Sequence, residues 1–551
     1  MTSFFWPDGT QEERETQKQT LLEIACTRSV DMPVLAATVD GQYRDLQTLV
    51  GHAKTVQFYD ISSSVGNRVY GRSLTMLLVA AAEKIFPRCR VRVEHSLSDG
   101  LYGEMTLDLG KPSVADFKAL EKEMRLLVSE NAPIIRQLIP REQAIQLFET
   151  EGQAEKAAIL CQLALEKVTS YKIGGVSGYY YGHLVPYAGY LDVFEIKPYA
   201  AGFVLRYPKT IKPKVIGPWK EQAKLYQVYD EAERWGDILD CAYVSDLNQH
   251  MAAGRGADII RVAEALHEKK LAETADLIAK GADRYRVILI AGPSSSGKTT
   301  LAQRLSVQLR VSGLKPRAIS IDDYFVNRDK TPVDAAGNYD FEALEAVDLE
   351  LFNTQLAALL DGEEVELPRF NFLTGCREAS GQLLRLTEDQ PIIIEGIHAL
   401  NDRLTEAIPA YNKFHIYVCP LTQISLDFHN RVPSSEARLI RRIVRDASFR
   451  GYDAAKTLRL WPNVRRGEER NIFPYQDNAD VMFNSALIYE LAVMKKKAEQ
   501  ALKAVLPHQD EYAEAIRLLG FLQYFVSLEN EGSIPNNSIL REFIGGSCFT
   551  C

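Results

Sequence analysis

A multidomain chain of mixed class is predicted, α+β in its first half and α/β in its second, and three observations carry that prediction. At 551 residues the chain is too long for one hydrophobic core, so two to four domains are expected. The first 210 or so positions alternate short extended runs with helical periodicity and hairpin punctuation. After Tyr285 the order becomes strand, glycine-rich turn, helix, strand, which marks helices wound about a parallel sheet.

In chain order, Pro33 to Val39 and Thr55 to Tyr59 read as strands, and Asp40-Gly41 between them is a hairpin signal, giving a small α+β unit over 1–64. Leu74, Leu77, Leu78, Ala81 and Ile85 share one helix face, while Arg90 to Val93 and Met105 to Leu109 look extended, which makes 65–215 a second α+β unit. The segment 216–284 is charged and amphipathic, with Ile259, Ile260, Ala263 and Leu266 at helical spacing, and is expected to dock as a helical connector. Strands are expected at Val287 to Ala291, Ala318 to Ile321, Ile392 to Glu395, Phe414 to Val418 and Asp480 to Phe483, inside an α/β unit over 285–505. A helical tail over 506–551 completes the chain.

Composition narrows the class. With 46% hydrophobic and 25% charged residues the chain reads as an ordinary globular protein, and a net charge of -9 argues against broad nucleic-acid binding. The longest uncharged apolar run is far short of the ~20 residues that cross a bilayer. The first residues lack the order of a secretory signal, so a cytoplasmic location without membrane contact is the expectation. Eight scattered cysteines suggest reduced thiols. Cys548 and Cys551 form a lone C-x-x-C, two ligands where zinc wants four.

Gly292-Pro293-Ser294-Ser295-Ser296-Gly297-Lys298-Thr299 satisfies G-x-x-x-x-G-K-[ST], follows an apolar strand and opens a helix. Gly292, Ser294, Ser295, Ser296, Gly297, Lys298, Thr299 and Thr300 are therefore the expected binding residues for the phosphates of ATP. Lys298 is expected to reach the β- and γ-phosphates, and the Thr299 hydroxyl to ligate Mg2+.

ATPases, GTPases and kinases share this loop, so an acceptor-activating group decides between them. Asp322 and Asp323 end the next strand, where open α/β sheets bind ligands; one carboxylate can take a hydroxyl proton, and Tyr324 can flank a planar substrate. A helix-capping role for the pair is the structural alternative. Glu395 ends a buried apolar strand, where the second Mg2+-linked carboxylate of such folds sits. Arg438, Arg441, Arg442, Arg445 and Arg450 crowd the stretch Ser435 to Gly451. Alone this would read as a solvated face, but beside a P-loop it reads as a lid whose Arg441 and Arg445 neutralise a transferring phosphoryl group.

These motifs, together with Tyr339-Asp340-Phe341-Glu342, Leu367 to Arg377 and Ile394-Glu395-Gly396, make the region resemble the uridine kinase and phosphoribulokinase family. The resemblance implies Asp322 as general base for a nucleoside 5'-hydroxyl and Glu342 on the ribose hydroxyls. It also implies Phe341 and Phe370 near the base, with Asp323, Tyr324 and Arg377 lining the acceptor. Where uridine kinases carry a histidine that reads the pyrimidine edge, Gly375 stands. A non-nucleoside alcohol, such as a sugar phosphate or a hydroxy amino acid, is the alternative acceptor.

The first half resembles the N-terminal region of threonyl-tRNA synthetase through Val69 to Pro87, Leu120 to Val128 and Gly182 to Pro186. That implies a TGS-type β-grasp domain over 1–64, followed by an editing-type domain over 65–215. The four metal-binding positions of the editing site read Arg72, Met76, Tyr179 and His183, so one of four possible ligands remains and the metal site is degenerate. An RNA-binding regulator switched by ATP is the alternative of a different class, disfavoured by the net charge and by Asp322. Assembly with a second copy of the chain stays open.

Overall fold

The computed structural model describes all residues except 16–17, 109, 334–336, 338, 372–373, 388, 529 and 550–551. Leu109, Phe372, Leu373 and Cys551 therefore lie outside the described residues. The seven described cysteines are free thiols.

The first unit is a five-stranded sheet in the order Gln11–Arg14, Thr2–Phe5, Thr55–Tyr59, Ala36–Val39, Gln42–Arg44. Asp40 and Gly41 both take positive φ, +46° and +73°, which is the turn that joins twisted antiparallel strands. The short helix Leu21–Ala25 starts on a reciprocal Thr20–Glu23 capping box and closes over Phe4, Trp6, Val56 and Phe58.

The second unit wraps the helix Ser64–Ile85 in two sheets. One runs Glu195–Tyr199, Gly202–Arg206, Gly100–Thr106, Arg90–Leu97, and the other Val176–Tyr179, Lys167–Ile173, Ile135–Pro140. Leu74, Leu77, Leu78 and Ala81 of the helix are fully buried, so the periodicity seen in the sequence is the core face.

The α/β unit is a five-stranded parallel sheet in the order Arg317–Ser320, Ile392–Glu395, Val287–Ala291, Lys413–Cys419, Val481–Asn484. Its inner strands are buried on both faces, which is why they read as unbroken Ile, Val and Leu runs rather than alternating ones. Strand register sets Ile290 and Ser320 on either side of Glu395, bringing three loop-bearing strand ends to one edge. An antiparallel hairpin, Val365–Asn371 with Cys376–Leu384, stands out from this sheet; the sequence reading contains no strands there.

The connector and tail do not stand apart. The helices Val244–Ala252 and Gly256–Lys280 share one continuous core with the P-loop helix Lys298–Val311, the helix Ser434–Phe449 and the tail residues Ile534, Ile539, Leu540 and Phe543. The pair Arg141–Thr150 and Ala154–Cys161 also packs into that core, although it precedes the connector in the chain. No described helix is long and apolar enough to cross a membrane.

Candidate active site

The loop 292–297 leaves the central strand and turns into the helix Lys298–Val311. Ser295 and Gly297 sit at φ +60° and +85°, left-handed positions that fold the loop back so that the Ser296 amide donates to the Pro293 carbonyl at 3.2 Å, the tight glycine-rich turn that anion cradles are built from. Gly292 is required by close approach, since a Cβ there would lie 2.4 Å from the carbonyl oxygen of Val418 on the neighbouring strand. The Lys298 ammonium donates to the Pro293 carbonyl at 3.3 Å. Burial pulls its pKa down, while Glu395 and Asp322 act to keep the charge.

Around Lys298 the strand ends gather carboxylates. Thr299 donates its hydroxyl to Glu395 at 3.4 Å, and Ser320 donates to the same oxygen at 3.1 Å. Burial first, then the neighbouring Asp322, pushes the Glu395 carboxyl up to about 7. Two hard oxygen donors side by side, one of them a carboxylate held at a cost, fit Mg2+. Asp322 lies on the one-turn segment Ile321–Tyr324; burial raises its pKa, and Lys298, Arg450 and Arg445 oppose that rise.

Glu342 lies against Gly467 of the helix Ala454–Asn471. Its carboxyl is raised to about 7 by burial, against Arg442 and Lys298, and its Oε2 is buried without a hydrogen-bond partner. An orphaned carboxylate oxygen facing a lysine, an aspartate and an arginine is costly in the protein alone, and points to a hydroxyl-bearing ligand.

Other sequence-derived residues are placed differently. Tyr324 is buried, donates to Gln355 at 2.8 Å and meets Phe352 edge-on, so it is core rather than pocket wall. Asp323 accepts the Phe370 amide at 3.2 Å and anchors the hairpin. Phe370 packs against Phe325, ring centroids 5.6 Å apart, whereas Phe341 is exposed against Tyr339. Arg377 pairs with Asp348 at 2.8 Å at the start of the helix Leu349–Leu360. Gly375 turns the hairpin at φ +72°, and a Cβ there would lie 2.7 Å from the Arg328 guanidinium. A histidine at this turn would be strained as well as crowded.

The arginine helix is not a free lid. Arg441 is fully buried, bonded to Glu490 at 3.2 Å, to the Ser485 carbonyl at 2.8 Å and to the P-loop carbonyl of Ser295 at 3.4 Å. Arg438 pairs with Glu468 and reaches the Ser294 carbonyl at 3.1 Å. Both are braces under the loop, because a guanidinium in the interior must find fixed acceptors. Arg445 is held by Asp446 at 2.9 Å and faces Asp322. Arg442, left out of the sequence-derived site, donates to the Ser294 hydroxyl at 2.9 Å and faces Glu342. Helical spacing separates it from Arg441 by 100°, and only the docking direction of the helix could have chosen between them.

The tail also reaches the loop. Glu542, on the short helix Arg541–Ile544, accepts from the Thr300 amide at 3.3 Å and from its hydroxyl at 2.8 Å. Ile534, Ile539, Leu540 and Phe543 are each at most 2% exposed, a gross gain of ~2 kcal/mol per buried side chain that opposes the entropy of freeing the tail. The tail is a fixed wall.

In the N-terminal half, the described residues hold one group of three potential metal ligands, Glu94, His95 and Glu233. The Arg92 guanidinium pairs with Glu94 and lies 3.3 Å from Glu233, so the positive charge this cluster needs is already present.

Residues 287–491 match the family described as Phosphoribulokinase / Uridine kinase, and this segment carries that family's domain. Over the N-terminal half the chain is similar to threonine--tRNA ligases, among them that of Methylococcus capsulatus, at 27% identity over 271 residues. That match covers 47% of this chain and 39% of the ligase, so the chain spans about two fifths of that relative's length. Among solved structures it is similar to one described as a possible uridine kinase from Bacillus stearothermophilus, at 23% identity, 39% of this chain, 100% of that chain and a TM-score of 0.27. It is also similar to D-glycerate 3-kinase from Cryptococcus neoformans, at 15% identity, 46% of this chain, 88% of that chain and a TM-score of 0.20.

Proposed function

We propose that the C-terminal region transfers the γ-phosphoryl group of ATP to the hydroxyl of a small molecule, with the 5'-hydroxyl of a nucleoside as the favoured acceptor. The observation that carries this reading is the convergence of Lys298, the Thr299–Glu395 pair, Asp322 and the orphaned Glu342 oxygen at one edge of the parallel sheet. A simple nucleotide switch needs the first two; it has no use for the others.

In this reading the loop amides and Lys298 hold the phosphate oxygens. Thr299 and Glu395 would hold Mg2+, which when bound spreads the developing negative charge. Glu342 accepts hydrogen bonds from acceptor hydroxyls and orients them. Asp322 takes the proton as the acceptor oxygen forms its bond to the γ-phosphorus and the bond to the β,γ-bridging oxygen breaks. Arg445 and Arg450, facing Asp322, sit where they can offset charge on the transferring group.

One observation favours the second reading, a non-nucleoside alcohol. The left-handed turn at Gly375 would strain any side chain placed there to read a pyrimidine edge, and the Arg328 side chain would have to move aside for it. The test is an acceptor screen on the purified chain with ATP and Mg2+, following product by mass. Phosphorylated nucleoside above the water background supports the first reading. Turnover with a sugar phosphate or hydroxy acid but no nucleoside replaces it with the second.

A further inference from the structure

The contact between the tail and the P-loop helix joins two groups that nucleotide binding would have to separate. Thr300 is the third residue of the helix Lys298–Val311, and its amide and hydroxyl are among the donors a P-loop offers to the α-phosphate. Both are taken by the Glu542 carboxylate, at 3.3 and 2.8 Å. A helix N-terminus favours an anion there, and carboxylate and phosphate are interchangeable occupants of such donors. Glu542 also feels the same neighbours a nucleotide would, since its charge acts on Lys298 and on Glu395.

From this geometry we infer that Glu542 is a built-in competitor at the nucleotide site, a resident anion on the α-phosphate donors that a nucleotide displaces by swinging the side chain aside. The inference rests on the phosphotransferase reading above. The backbone of the tail does not take part. Arg541 staples it by donating to the carbonyls of Glu531 and Ile534, both at 2.8 Å, and of Gly545 at 3.3 Å. Ile539 packs so close to the loop that a Cβ on Gly297 would lie 2.5 Å from its Cγ2. Glu542, by contrast, is only partly buried, and its three side-chain torsions give it a route to solvent.

Two consequences separate this role from plain packing. Displacement relieves a crowd of carboxylates, Glu542, Glu395 and Asp322, just as the phosphates arrive. The effect also belongs to the α-phosphate, so AMP, ADP and ATP feel it and adenosine does not.

The test is calorimetric binding of ATP, ADP, AMP and adenosine to the full chain, unmodified and as Glu542→Gln, with the unfolding temperature of each recorded. Gln keeps size and an acceptor oxygen while removing the charge. The expected result is about tenfold tighter binding of the three nucleotides and unchanged adenosine affinity. Unchanged or weaker ATP binding in a variant that melts like the unmodified chain overturns the inference, and so does equal tightening of adenosine. Should Glu542→Gln fail to fold, Glu542→Asp withdraws the carboxylate by one methylene and must tighten ATP severalfold; no gain there overturns it equally. Hydrogen exchange of 538–545 is expected to stay slow when ATP is added, and a rise would overturn the fixed-wall part. Absence of ATP binding by the unmodified chain and by Lys298→Met alike removes the phosphotransferase reading itself, an outcome distinct from the others.

Discussion

At the C-terminal edge of the parallel sheet, Glu342 keeps a buried oxygen without a partner, and burial raises the pKa of Asp322, Glu342 and Glu395 together. The positions aligned with the editing metal site behave in the opposite way. The His183 ring meets the Tyr43 carbonyl at 3.1 Å and lies 3.7 Å from Asp45. Arg72 donates to the His183 carbonyl at 3.4 Å and stacks on Tyr181, while Met76 is fully buried beneath the Tyr180 hydroxyl. The Tyr179 hydroxyl is bonded to Tyr524 of the tail region. One region maintains charge that the fold alone does not satisfy; in the other, each of the four aligned positions has found a protein partner, and the orphaned atoms beside them, Asp45 Oδ2 and the Tyr171 hydroxyl, lie next to the Arg136 and Arg72 guanidinium groups. Costly, unsatisfied groups mark the place where a ligand completes the structure.

The sharpest way to break this contrast is Asp322→Asn, expected to lower the rate of acceptor phosphorylation by about 10²-fold or more with the melting temperature retained or raised, since burial disfavours the charged carboxylate. An unchanged rate removes Asp322 from the mechanism.

The two glutamates come next. Their folded pKa values, about 7, lie above the ordinary 4.5, so the native state binds more protons than the unfolded chain between those values. Stability from this source is complete below pH 4.5 and is lost as pH rises through 7. Glu342→Gln and Glu395→Gln should each stabilise the chain by about 1–3 kcal/mol at pH 8, by urea unfolding without nucleotide or Mg2+, with the gain vanishing near pH 4.5 and phosphoryl transfer falling in both. A Gln variant that is less stable at pH 8 would place that carboxylate among the satisfied groups.

The N-terminal pocket should show the opposite sign. Burial lowers the His183 pKa to about 4, so the stability it carries is present above its ordinary 6.5 and lost as pH falls toward 4. His183→Ala is expected to cost about 1–2 kcal/mol at pH 8 with transfer unchanged, and its loss of activity at constant stability would return a ligand-binding role to this pocket. The smallest effect is that of Gly375→His, expected to destabilise the hairpin by about 1 kcal/mol without improving turnover of pyrimidine nucleosides. Improved uridine turnover would reverse the reading of that turn.

Much of this was legible because it is local. The P-loop, the five strands that carry or flank it, the Asp40-Gly41 turn and the carboxylates at strand ends are short-range patterns whose chemistry forces their geometry. What resisted reading depends on direction. Tyr324 and Asp323 follow Asp322 immediately, yet one turns into the core and the other onto the hairpin. Arg441 and Arg442 are adjacent in sequence, and helix docking sends one to Glu490 and the other to the P-loop hydroxyl of Ser294.

By itself, then, the sequence determined where phosphate chemistry is placed and which acids stand beside it, because an anion cradle and a strand-end carboxylate are built within a few residues. Only the tertiary structure decided which charges are braces and which face the site. It alone brought Glu542 onto Thr300 from 242 positions away. Pairing over such distances is set by how helices and tail pack into one core, and no local pattern encodes that packing.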